Sequence, residues 1–186
     1  MGKNNTQEDN TKVLELKEIL QQFDSTTKEL LQLLSSFNQQ QVNTAPFEGS
    51  WTAAQIGEHL HKSYKGLPRI LTKGVKPTER DPAEHIAVIR KTFLDFNTKL
   101  KSPEFIIPEN KTYNKETLVN ELQNLVPQIR DAVQSGDINE TCTGFAFPVL
   151  GELTRLEIIH FVVYHTRRHN RQLKNILEKV VADSAM

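Results

Sequence analysis

The stretch HFVVYHTRRHNRQLKNIL, residues 160–177, decides the fold. Taken with Ile158 just ahead of it, the residues Val162, His165, His169, Leu173 and Ile176 fall on one helical stripe. That stripe should face a core, yet two histidines interrupt it. Successive residues of an α-helix turn by about 100°, so His165 and His169, four apart, project from one face about a turn from each other. His160, five before His165, lies roughly 140° away and does not join them. Two imidazoles in an apolar interior are costly unless their nitrogens find partners. A metal ion satisfies both at once, and H-x-x-x-H on a helix is a metal-binding spacing. It is equally the spacing of two hydrogen-bonded core histidines, and spacing alone leaves both readings open.

Outward from this helix, read over about 154–181, the rest of the chain is also helical in pattern. Apolar residues from Val13 to Phe37 recur at helical spacing and predict a long amphipathic helix over about 11–37, after a polar lead-in over 1–10. NQQQVNTAPFEGS breaks it. A second helix follows Ser50, a natural N-cap, with Ile56, His59, Leu60, Ser63, Leu67 and Ile70 on one face and Gly66 and Pro68 placed to bend it late. A third helical piece begins near Pro82, and a fourth near Asn114, with Pro127 inside it. FIIP is too short and too close to prolines for a strand, and QSGDINETCTGFAFPVLG reads as a long connection. The expectation is a single all-α domain over 11–182, an up-down four-helix bundle with an extra short helix in the middle.

Composition narrows the function. Lys+Arg and Asp+Glu are both 23, so net charge is zero and no nucleic-acid partner is expected. One cysteine, Cys142, rules out a disulfide within the chain and fits a reducing, cytoplasmic setting. The polar start predicts no secretory signal, and no apolar run approaches a membrane span. MGKNNT matches the loose N-myristoylation pattern and is read as chance.

A third metal ligand has one good candidate. His59 lies on the apolar stripe of the second helix, while His61, roughly 200° further round, faces the other way. Three imidazoles with open positions suit zinc, nickel or iron and leave room for water or a substrate.

Two stretches carry a family resemblance. PFEGSWTAAQIGEHL, with Pro46, Gly49, Trp51 and His59, is similar to the proline-glycine-tryptophan lead-in of the DinB-like superfamily of metal-binding four-helix bundles, which includes bacillithiol S-transferase-like proteins. FPVLGELTRLEIIHFVVYHTRRHNRQL resembles that family's Pro-x-x-Gly approach and final H-x-x-x-H-x-x-Q helix, here Pro148, Gly151, His165, His169 and Gln172. The resemblance spans about 46–173 and leaves 74–147 without a matching motif. It implies that His59, His165 and His169 hold a divalent ion, nickel or zinc first and iron next. It further implies a homodimer and an enzyme that activates a thiol or water for transfer or hydrolysis on a small-molecule substrate, with a low-molecular-weight thiol as cosubstrate. The alternative is a non-catalytic bundle that binds a partner or small ligand, its metal structural or absent.

The remaining polar residues read more plainly. Glu58 and Glu157 are candidates to support the metal ligands by proximity in sequence, but read first as exposed helix charges. Cys142 reads as an incidental loop cysteine. Arg167, Arg168 and Arg171 read as a solvated face, Trp51 as packing at the helix start, and His61, His85 and His160 as surface or outer-layer residues.

Overall fold

The computed structural model describes the backbone of residues 3–183 and the side chains of residues 13–182. Helix α1 spans Lys3–Ser36, so from Lys3 onward the lead-in shares one helix with the first apolar stripe. Met1 and Gly2, at the start of the myristoylation match, lie outside the described residues. Ile19, Phe23, Leu30 and Leu34 of that stripe are buried, while Val13 and Leu14 are exposed.

Helix α2 spans Ala53–Lys65. Its cap is Thr52 rather than Ser50. The Thr52 hydroxyl accepts from the Gln55 amide at 3.1 Å, and the Gln55 side chain accepts from the Thr52 amide at 2.9 Å. This reciprocal box satisfies two amide donors that the first helical turn leaves open. Gly66 ends α2 and starts α3, Leu67–Thr72, with Pro68 in its first turn, which is the late bend expected there. A short α4, Ile86–Leu94, lies in the middle of the chain. Helix α5, Lys115–Gln134, is capped by Asn114, whose side chain accepts from the Thr117 amide, and carries Pro127 internally. Helix α6, Arg155–Asp183, closes the chain.

The four-helix bundle consists of α1, α2, α5 and α6, with α1 flanked by α5 and α6 and α2 on the far side. Side-chain pairs fix the directions. Arg167 reaches Gln22, Asn170 reaches Thr26 and Glu29, and Lys174 reaches Glu29, so α6 runs parallel to α1. Asp24 pairs with Arg130, and Lys115 donates to the Phe37 carbonyl, so α5 runs antiparallel to α1. Gly57 packs on Leu118 and His61 sits by Glu121, so α2 runs with α5. The order of directions is up, down, down, up. The crossover that parallel neighbours require is residues 73–114, which hold α4, a two-residue strand, a 3-10 turn and irregular chain.

The expectation of no strand is corrected. A three-stranded antiparallel sheet joins β1 (Val75–Lys76), β2 (Thr141–Phe147) and β3 (Gly151–Thr154) in that order. A shift in register between Thr141 and Ala146, together with Gly144, breaks the alternation that would mark β2 in sequence. Cys142 therefore lies in a strand, fully buried, and is not a loop residue; burial pushes its thiol up to about 11.

Candidate metal centre

Helices α2 and α6 bring His59, His165 and His169 together, all three buried. The Nε2 atom of His165 lies 3.0 Å from that of His59 and 2.9 Å from that of His169. Trp51 packs on His59 with ring centroids 5.2 Å apart, Phe161 stacks on His165 at 5.2 Å, and Phe93 meets His165 edge-on at 5.3 Å. Trp51 thus belongs to the wall of this centre as well as to the start of α2.

The proton positions follow from the partners. His59 Nδ1 lies 3.0 Å from the Ile106 carbonyl, which can only accept, so Nδ1 carries the hydrogen. His169 Nδ1 lies 2.7 Å from Gln172 Oε1 and donates in the same way. In neutral rings both Nε2 atoms are then bare lone pairs, and both face His165 Nε2. Burial lowers the pKa of all three imidazoles: His59 falls despite its bond to Ile106, His165 falls well below its usual range, and His169 drops to about 3. One proton on His165 Nε2 cannot serve two acceptors well, and His165 Nδ1 is buried with no hydrogen-bond partner among the described residues. Three convergent lone pairs in a buried site walled by aromatic rings fit a cation. Adjacent ligand atoms on one ion with bonds of about 2.0–2.1 Å stand roughly 3.0–3.4 Å apart, close to the spacing seen here.

The crossover supplies what the sequence motifs did not. The carbonyl of Ile106, in a short 3-10 turn at Glu104–Ile106, orients His59, and the next carbonyl, of Ile107, accepts from Lys62 Nζ at 2.9 Å. A backbone carbonyl leaves no side-chain signature, so this support had no signal to find. Gln172 did have one, in its place three residues after His169.

Two expectations about charges are corrected. Glu157 is fully buried rather than exposed: Arg80 holds both its oxygens, at 2.7 and 2.6 Å, and the amides of His85 and Thr154 add two more bonds. Arg168 is buried rather than solvated, and donates to the carbonyls of Asp95 at 2.7 Å and of Thr98, fastening the end of α4 beside the histidines. Arg167 is half-buried against Gln22 and Thr26, and only Arg171 is exposed, over the Phe96 ring. Glu58 lies away from the three histidines, beside His61 and Glu121. His85 and His160 are half-buried in outer layers, the latter 3.2 Å from the Tyr164 hydroxyl. Among the described residues no helix is long and apolar enough to cross a membrane.

The fold and the three convergent imidazoles define a four-helix bundle with a buried histidine centre. By sequence the chain matches the DinB superfamily over residues 22–173, and it belongs to that family. It is 25% identical over 160 residues to the uncharacterized protein YuaE of Bacillus subtilis (strain 168), covering 85% of this chain and 96% of that one. Among solved structures it is similar to YfiT from Bacillus subtilis, described as a probable metal-dependent hydrolase with an unusual four-helix bundle topology. The TM-score is 0.57 at 14% identity, over 87% of this chain and 85% of that one. TT2238, described as a four-helix bundle protein, matches with a TM-score of 0.49 at 20% identity, over 86% of this chain and 98% of that one.

Proposed function

We propose that this protein is a metal-dependent enzyme acting on a small molecule, with a divalent ion held by the Nε2 atoms of His59, His165 and His169. The observation that carries the reading is the convergence of three imidazole nitrogens, two of them 2.9 and 3.0 Å from the third, with the outer two left as bare lone pairs because Ile106 and Gln172 hold each ring's proton at Nδ1. A bound divalent ion supplies Lewis acidity that brings a water or a thiol toward ionisation near neutral pH. The chain's own groups do the positioning. The Ile106 carbonyl and the Gln172 side chain fix two ring orientations and raise the basicity of the nitrogens opposite. Trp51, Phe93 and Phe161 wall the histidines with apolar rings, which excludes water and so strengthens electrostatic interactions within the centre. Among the described residues three protein ligands converge, which leaves room for a reacting group to enter beside them.

The reaction class under this reading is hydrolysis or thiol transfer. The similarity to YfiT, a probable metal-dependent hydrolase, favours the first, and the family resemblance adds the second, with a low-molecular-weight thiol as cosubstrate. Nickel and zinc match an all-imidazole set best, and iron is the next candidate. A reducing, cytoplasmic setting suits the one buried, unpaired cysteine.

The test is elemental analysis of tag-free protein beside single-site variants. Wild type should carry near-stoichiometric metal at the three histidines, and His59→Ala, His165→Ala and His169→Ala should each lose it, while His85→Ala keeps it. Equal loss in all four, or in none, would sink the assignment. Titration of the nickel-loaded protein with thiols, read by the metal's absorption and followed by assay for an S-transfer product, then separates transfer from hydrolysis.

A further inference from the structure

The opposite face of α2 carries a second group of donor atoms. Glu58 and His61, one helical turn apart, face Glu121 of α5 across a cleft of about 300 Å³, also lined by Lys111, Tyr113 and Thr117. His61 Nδ1 lies 3.6 Å from Glu58 Oε2 and 3.8 Å from Glu121 Oε2, and the three donor atoms lie within 4.8 Å of one another. We propose that this cleft is a second divalent-cation site, with His61, Glu58 and Glu121 as ligands and zinc as the cation its donors suit.

The spacing is the first argument. A protonated imidazole paired with a carboxylate closes to about 2.7–2.9 Å, and none of these separations does so. An ion with bonds of about 2.0–2.2 Å in tetrahedral array sets its ligands roughly 3.3–3.5 Å apart, so these donors need to draw in by only a few tenths of an ångström. The second argument is the charge left over. Among the described residues none of the three side chains makes a hydrogen bond within 3.5 Å, and the nearby lysines make their shortest contacts to other groups. Lys111 pairs with Glu109 at 2.8 Å, and Lys62 donates to the Ile107 carbonyl at 2.9 Å while staying 4.0 Å from Glu58. Two carboxylates thus face one imidazole, and the lysine paired with Glu58 stands off at 4.0 Å. The third argument is chemical: one nitrogen with two carboxylate oxygens is a donor set for a borderline divalent ion such as zinc, and three protein ligands leave room for water. An ion here would pin α2 to α5 on the side of α2 away from His59.

This site does not depend on the three-histidine centre, and one experiment separates them. Metal-stripped wild-type protein is titrated with zinc chloride against a chromophoric chelator, beside His61→Ala and Glu121→Gln. Glu121 is exposed and His61 part-buried, and circular dichroism checks that each variant folds. The expected result is two equivalents in wild type and one in each variant, with the retained class unchanged in affinity. One equivalent in wild type that survives His61→Ala overturns the second site and leaves the first standing. Two equivalents in wild type and in both variants also overturn it. One equivalent lost in His61→Ala supports this cleft and removes the three-histidine centre.

Discussion

At the scale of single residues, the centre works through atoms that do not themselves converge. His169 presents a bare Nε2 because Gln172 takes the hydrogen at Nδ1, 2.7 Å away. Gln172 is itself exposed, so replacing it leaves the core intact. Gln172→Leu should fold with unchanged circular dichroism and near-unchanged thermal stability when metal-free. Its affinity for the metal should fall about 10- to 100-fold, the usual cost of removing a partner that orients a ligand histidine. A chelator competition assay measures it, and an affinity within twofold of wild type would show that His169 needs no such support. Much of this centre could be read ahead of the structure. His165 and His169 share a stripe with Val162 and Leu173, and His59 sits in the same way between Ile56 and Leu60, so the pattern alone aimed all three inward. Their meeting point could not be read, because helical periodicity gives a residue's face and not the neighbour that face meets. The Ile106 carbonyl was beyond reach for a different reason, since any residue type offers one. Arg168 shows the pattern's other limit: it lies beside His169 among charged residues, and only the path of residues 93–98 buries it.

At the scale of elements, one ion pair between a buried carboxylate and a part-exposed guanidinium joins three of them. Thr154 and Glu157 form a box at the start of α6, the hydroxyl accepting from the Glu157 amide at 3.1 Å and the carboxylate from the Thr154 amide at 2.9 Å. The same carboxylate takes the His85 amide ahead of α4, and Arg80 spans from it to the Glu152 carbonyl of β3. Burial works to raise the Glu157 pKa, but the guanidinium and the two amides outweigh it, and the carboxyl ends up below its usual value. Arg80→Met should therefore destabilise the protein by roughly 3–5 kcal/mol, because it strands a carboxylate away from water. Adding Glu157→Gln should recover part of that loss, which marks the cost as uncompensated charge rather than lost packing. Urea midpoints of the two variants decide this, and a loss within about 0.5 kcal/mol for Arg80→Met, typical of an ordinary surface change, would refute it. The T-x-x-E box at 154–157 is visible in the sequence, and so is the Asn114 cap; T-x-x-Q at 52–55 fits the same box and distinguishes Thr52 from the neighbouring Ser50. Arg80 lies far from Glu157 along the chain, and nothing local marks the two as partners. The sheet escaped for a similar reason. Its shortest member pairs only Val75 and Lys76, and β2 is interrupted by a register shift.

At the scale of the whole molecule, the parallel run of α1 beside α6 sets how the histidine centre couples to stability. Amphipathic stripes say that four helices pack, and leave their directions open; the long crossover at 73–114 allows α2 and α5 to run the same way. That arrangement takes His59 from an early helix and His165 and His169 from the last one, so a metal at this centre ties together parts distant in sequence. Metal that binds only the folded chain stabilises it by about 2.7 kcal/mol at a hundred times its dissociation constant. For a chain of this size that corresponds to a rise in Tm of roughly 5–10 °C. The cleft at His61 would add its own contribution, so the measurement belongs in a His61→Ala background. There, zinc or nickel should raise the Tm by that amount, a chelator should return it to the metal-free value, and adding His169→Ala should abolish the rise. If His169→Ala keeps the full shift, the stabilising ion is bound elsewhere and the three histidines are core residues. If the shift disappears with His169 while circular dichroism of the metal-free variant stays native, α2 and α6 are joined through the ion, and the interrupted stripe on the last helix is the mark of that joint.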